Sequence, residues 1–198
     1  MENSYLIEAD NLAYKINEVK LFTNFSFSLK AGEALHIQGS NGSGKSTLIR
    51  IWCGITPPSK GKVSKKNGLA FSYLGHENAL KTYLSVRDNI SLLGLSQHES
   101  LKPFLLSLDL SEKLDVIVAN LSFGQQKKVA LLRIFLTSTD LILLDEPFVG
   151  LDSTSHDLLC KFLEKKLNTG AGLVYTSHIP TGISSKNIVL DWWNYYWY

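Results

Sequence analysis

Cysteine is scarce in this chain: Cys53 and Cys160 are the only two in 198 residues. They have neither the paired spacing of a metal site nor the number that a disulfide framework needs, and they read as apolar thiols. Long apolar runs are also missing. No stretch approaches the roughly 18 residues of a membrane-spanning helix, and the acidic start, Met1 to Asp10, has no signal-peptide core. Charged residues are sparse at 19%, and the net charge of +2 is scattered along the chain. A nucleic-acid partner would call for a basic stripe or cluster, so none is expected. Repeats, linkers and low-complexity tracts are absent. The 44% of apolar residues is an ordinary globular composition, and the length suits one domain with a substantial core. The expectation is a cytoplasmic protein, which would have to dock on another component to serve a membrane process.

The apolar pattern gives a coarse map. Phe25 to Leu29 alternates with period two and reads as a half-buried strand. Lys30 to Glu33 is a turn, and Ala34 to Gln38 a short strand entering a glycine-rich loop. Ser46 to Trp52 reads as a helix ending at Gly54. Pro57 to Lys66 reads as loop and turn, and Leu69 to Leu74 as a buried strand. Residues 78–138 form a helical subdomain within one domain spanning 1–198. Ser85 can cap one of its helices, Pro103 can start another, and Ser122 to Thr137 is a longer one. Leu141 to Leu144, Leu173 to Thr176 and Ile188 to Leu190 are short apolar strands, with a helix at Leu158 to Leu167. Apolar strands alternating with helices predict an α/β fold: a mainly parallel sheet covered on both faces, with an antiparallel β layer at its edge.

Three segments carry chemistry. Gly39-Ser40-Asn41-Gly42-Ser43-Gly44-Lys45-Ser46 fits the phosphate-loop pattern G-x-x-x-x-G-K-[ST] between a strand and a helix. Its glycines let successive N–H groups converge on phosphate oxygens, and the helix N-terminus adds dipole charge. Lys45 would reach the β and γ phosphates, and Ser46 would ligate Mg²⁺. The run Leu141-Ile142-Leu143-Leu144 ends at Asp145-Glu146, at the carboxyl edge of a buried parallel strand, where ligands bind. Asp145 would hold Mg²⁺ through water, and Glu146 would polarise the attacking water. Leu121-Ser122-Phe123-Gly124-Gln125 opens the long helix. Ser122 and Gln125 have the spacing of a capping box, and the same helix end is an anion site. Two phosphate-binding helix ends in one chain could not easily serve one nucleotide within one subunit.

These residues closely resemble the ABC ATPase nucleotide-binding domain, over essentially the whole chain. The resemblance makes Leu121 to Gln125 the signature motif, with Ser122, Gly124 and Gln125 contacting the γ-phosphate held by the opposite subunit. Phe123 stands where the commonest form has glycine. Gly150-Leu151-Asp152 resembles the D-loop at the dimer interface. His178 resembles the switch histidine at the γ-phosphate, and Tyr14 sits where the family stacks an aromatic ring on adenine. His76 takes the place of the family's usual glutamine, as a metal or water contact. Gly75 to Lys81 resembles one branch in particular, the haem-exporter ATPase of cytochrome c maturation systems.

The resemblance implies a P-loop NTPase core that binds ATP and Mg²⁺ and works as a homodimer. Two nucleotides would each be clamped between Gly39–Thr47 of one subunit and Ser122–Gln125 of the other. Lys45, Glu146 and His178 would be catalytic; Ser46, His76 and Asp145 would serve the metal. It also implies an integral membrane permease as partner. The protein would then lie peripherally on the cytoplasmic face of the inner cell membrane, or on the mitochondrial inner membrane. The tail from Asp191 to Tyr198 holds three of the four tryptophans. It reads either as a final strand closing the sheet edge or as an aromatic patch for a partner or membrane interface.

Overall fold

The computed structural model describes residues 5–190; both readings of the aromatic tail fall outside them. Two sheets form the scaffold. Strands β1 (Tyr5–Ile16) and β2 (Val19–Lys30) make an antiparallel hairpin around Asn17, whose φ of 53° suits asparagine in a tight turn. Strand β4 (Lys60–Lys65) adds to the other side of β1, giving the order β2-β1-β4. This corrects the expectation of a loop at Pro57 to Lys66. Only Val63 of the strand packs on the core, so Lys-Gly-Lys-Val-Ser-Lys has no apolar period to read. Its lysines suit an edge, and its pairing comes from a strand about fifty residues earlier.

The second sheet is parallel. It comprises β3 (Ala34–Gln38), β5 (Phe71–Leu74), β6 (Leu141–Asp145), β7 (Gly172–Thr176) and β8 (Lys186–Val189), in the order β5-β6-β7-β3-β8. Every residue of β6 and β7 is buried, as expected for central strands covered on both faces. Their side chains divide between two cores. Leu141, Leu143 and Val174 meet helix α1 (Lys45–Cys53) and the antiparallel sheet, where Trp52 lies against Phe25 and Phe27. Ile142, Leu144, Leu173 and Tyr175 meet α4 (Phe123–Leu136) and α5 (Ser153–Asn168).

Residues 78–138 contain α2 (Val86–Leu92), α3 (Leu101–Ser107), single 3₁₀ turns at Ser111–Lys113 and Val118–Asn120, and α4. Ser85 caps α2 in a capping box with Asp88. Helix α3 starts two residues before Pro103, which lies in its first turn, where a missing N–H costs nothing. Helix α5 begins five residues earlier than its apolar period indicates. Asp152 caps it, accepting from Ser155 N–H at 2.8 Å, and its first turn is polar and so without a readable stripe. No helix among the described residues is long and apolar enough to cross a membrane.

The parallel arrangement gathers the carboxyl ends of β3, β6 and β7 along one edge. Helix α1 starts there, immediately after the loop leaving β3.

Candidate nucleotide-binding site

The loop from Gly39 to Gly44 turns back over this edge. Gly39 has φ 141°, and a Cβ on it would run into the Leu190 carbonyl, so only glycine fits. Gly44 caps α1 without any side-chain hydrogen bond, which leaves the first-turn N–H groups without a side-chain partner. Beside them lies a cleft of about 620 Å³. Its lining includes Asn41, Gly42, Gly44, Lys45, Ser46 and Thr47 from the loop and helix. Across from these stand His76, Asp145, Glu146 and His178, and Ile16, Leu21 and Val149 add an apolar rim.

Lys45 points into its own loop rather than into solvent. It is 8% exposed, and its ammonium donates to the carbonyl oxygens of Gly39 at 2.7 Å and Ser40 at 3.1 Å. The two carbonyls point inward, so the loop curls around the ammonium. Gly39 and Ser40 therefore act on the site through Lys45 rather than by lining the cleft. Ser43 is buried, and its Oγ has no partner.

Asp145 and Glu146 end β6 with different surroundings. Thr176, fully buried at the end of β7, donates to Asp145 Oδ1 at 2.8 Å and accepts from the Glu146 N–H at 2.8 Å. The second bond holds Glu146 at φ 50°, a left-handed conformation costly for a non-glycine residue. Its carboxylate is 3.4 Å from His178 Nε2 and accepts from the His178 N–H at 3.3 Å. Asp145 Oδ2 is buried without a hydrogen-bond partner, and Glu146 Oε1, also buried, has only the His178 ring beside it. An unpaired carboxylate oxygen on a residue that lines the cleft is what a hard cation or a bound water would satisfy. Together with the Ser46 hydroxyl, the donor set fits Mg²⁺. His76 lines the same cleft, but imidazole is a poorer ligand for that ion than for softer metals, so it suits a water contact better. Among the described residues, no three His, Cys, Asp or Glu side chains cluster as a metal cage.

Tyr14, expected at the adenine, is also not among the lining residues. It is half-buried, packs on the α1-side core and stacks on Phe22 at 6.3 Å and 27°. The hairpin's apolar contribution comes instead from Ile16 and Leu21. Burial of an aromatic face against Phe22 draws Tyr14 inward.

Ser122, Gly124 and Gln125 do not line the cleft either. Ser122 and Gln125 form the full capping box at the start of α4, each side chain accepting from the other's backbone N–H. Phe123 lies across Gly150: a Cβ on Gly150 would come within 2.7 Å of its ring, and one on Gly124 would strike the Gly150 carbonyl. Lys128 pairs with Asp152, and that ammonium together with the Ser155 N–H holds the Asp152 carboxyl down at about 2. The signature segment and the turn after β6 thus pack as one unit.

Two polar residues at the site were not legible as such. Thr176 is the one aliphatic hydroxyl in β7, at the end of an otherwise apolar run broken only by the Tyr175 phenol. Lys127 is 1% exposed on α4, its ammonium 5.7 Å from the Phe123 ring centre. Burial pushes its pKa down, and Asp145 and Glu146 pull it back up. A lysine inside the apolar stripe of α4 was the available signal.

A phosphate loop at the carboxyl edge of a parallel sheet, facing an Asp-Glu pair at the end of a central strand, defines a P-loop NTPase domain. The family model described as ABC transporter matches residues 22–149, and the chain belongs to that family. Curated relatives include the cytochrome c biogenesis ATP-binding export protein CcmA of Brucella abortus, 33% identical over 89% of this chain and 87% of the relative. The protein of the same name from Dechloromonas aromatica is 36% identical over 89% of this chain and 96% of its own. Among solved structures, an ATP-binding subunit of an ABC transporter superposes with a TM-score of 0.82 at 25% identity, covering 94% of this chain and 86% of that one. A dimeric post-hydrolysis state of an ATP-binding cassette bound to ADP and Pi superposes at 0.80 and 23% identity, over 96% of this chain and 98% of that one.

Proposed function

We propose that this chain is the ATP-hydrolysing subunit of a membrane ABC complex that exports or handles haem for cytochrome c biogenesis. The observation that carries the reading is the similarity to proteins named for cytochrome c biogenesis export, at 33–36% identity over 89% of the chain. The chemistry rests on the cleft. ATP would lie with its phosphates over the α1 N-terminus, displacing the Gly39 and Ser40 carbonyls from Lys45. Ser46 and Asp145 would hold Mg²⁺, with His76 on a bound water; the ion supplies charge neutralisation at the β and γ phosphates. Glu146 orients the attacking water, and His178, already beside it, contacts the γ-phosphate. Ile16 and Leu21 offer an apolar shelf on the hairpin side for the base, in place of the Tyr14 ring.

Ser122, Gly124 and Gln125 lie outside this chain's own cleft, which supports a homodimer in which each signature helix closes the partner's site. An integral membrane permease would take up the motion of that dimer. The chain would then lie peripherally on the cytoplasmic face of the cell membrane, consistent with the bacterial origin of the relatives.

The test is genetic and spectroscopic. Cells lacking the gene should lose covalent haem in c-type cytochromes. The wild-type gene should restore it, and Lys45→Met, which keeps the length of the buried side chain but not its charge, should not. Normal holocytochrome c in the deletion strain would refute the haem reading and leave the ATPase reading standing.

A further inference from the structure

Strand β3 carries a histidine that the site chemistry leaves unused. By strand alternation His36 shares the face of Ala34, toward α4 and α5, while Leu35 and Ile37 enter the other core. In register it lies between Tyr175 of β7 and Asn187 of β8. Its ring is half-buried and parallel to the Tyr175 ring, with centres 4.5 Å apart and planes within 3°. Tyr175 is itself fixed: it is fully buried, and its hydroxyl hydrogen-bonds with Thr181 Oγ1 at 3.2 Å and Ser185 Oγ at 3.3 Å.

The hydrogen bonds of His36 place one proton. Nε2 is 3.0 Å from the Ser177 carbonyl oxygen, which can only accept, so Nε2 carries a proton. Nδ1 is 3.2 Å from the Gln38 side-chain amide, and the Asn187 side chain also hydrogen-bonds to the ring. Burial pushes the imidazole pKa below its ordinary value, which favours the neutral ring.

Ser177 immediately precedes His178. Its side chain closes a local turn, donating to the Ile179 carbonyl at 2.7 Å and accepting from the Ile179 N–H at 2.9 Å. The backbone bearing His178 is therefore held at Ser177 from β3 and at the His178 N–H by Glu146 at 3.3 Å. The strand doing the holding, β3, is also the one that runs directly into the phosphate loop at Gly39.

We propose that His36 is a positioning residue for His178: its Nε2–H bond to the Ser177 carbonyl fixes the switch-loop backbone relative to the phosphate-loop strand, and it influences hydrolysis only through His178. This rests on the assignment of His178 to the γ-phosphate made above.

The test is a double-mutant cycle on the native assembly isolated from its own cells, read by single-turnover ATP hydrolysis at saturating and limiting nucleotide. His36→Phe keeps a ring to stack on Tyr175 but has no donor. It should lower the maximal rate by about tenfold, the scale of one lost orienting hydrogen bond, with little change in the ATP concentration for half-maximal rate. His36→Gln, whose amide N–H can reach where Nε2 stood, should recover most of that rate. In a His178→Ala background, His36→Phe should have no further effect. If the Phe variant does not fold, His36→Met, also without a donor, takes its place in the cycle. Losses that multiply across the two sites, a Gln variant as slow as Phe, or a wild-type rate for the donorless variant while His178→Ala is slow would each overturn the positioning role alone. A wild-type rate for His178→Ala would overturn the assignment of His178, and with it this inference.

Discussion

Replacing Thr176 with valine removes one hydroxyl from a site with no solvent to take its place. Thr176 is 0% exposed, and its Oγ1 makes two bonds at 2.8 Å, one to Asp145 Oδ1 and one from the Glu146 N–H. Valine has nearly the same shape, so the change isolates the hydrogen bonding. It leaves a carboxylate oxygen and an amide N–H in the interior without their partner. Each such group costs about 1–3 kcal/mol, so the variant should lose roughly 2–6 kcal/mol of stability. For a chain of this length, at about 2–4 °C per kcal/mol, that is a fall in melting temperature of roughly 4–24 °C, read by circular dichroism. Thr176→Ser keeps the hydroxyl and loses a methyl group, worth about 1 kcal/mol, and should fall by only a few degrees. The same bond restrains Glu146 at φ 50°, so Thr176→Val should also slow hydrolysis, whereas Thr176→Ser should not. A valine variant that melts with the serine variant and turns over like wild type would refute the claim that Thr176 organises the two carboxylates.

Glu146→Gln should still bind ATP, turn over at least about a hundredfold more slowly, and accumulate as a nucleotide-dependent dimer in gel filtration; near-normal turnover would remove Glu146 from water activation. A mixed dimer carrying Ser122→Arg in one subunit and Lys45→Ala in its mate should trap labelled nucleotide at one site. The same two changes placed in one subunit should trap none, and equal trapping by both arrangements would exclude sites shared between subunits.

Much of the site was legible because its signals are local. The phosphate loop is eight consecutive residues, and β3 and β6 are short apolar strands that end where the chemistry begins. Capping residues marked the starts of α2 and α4, since Ser85 and Ser122 act on N–H groups three residues away. What escaped is non-local. Strand β4 exists because β1 pairs with it, and Lys60–Lys65 holds no pattern of its own. The burial of Lys45 depends on which way two carbonyls turn in a loop of fixed sequence. The stacking of Tyr14 on Phe22 comes from the packing of the hairpin, which no local pattern announces. Thr176 gains its role from lying in register with Asp145 on the neighbouring strand.

The contact between Phe123 and Gly150 constrains the order in which this chain could change over time. A side chain at residue 150 meets the Phe123 ring, and one at residue 124 meets the carbonyl of residue 150. A mutation enlarging residue 150 is therefore penalised while phenylalanine remains at 123. The same mutation meets no ring where residue 123 is small. Acquiring the ring is correspondingly easiest where residue 150 is already glycine. Lineages carrying an aromatic ring at 123 should accordingly favour glycine at 150, whereas lineages with a small residue at 123 are released from the ring's part of that restriction.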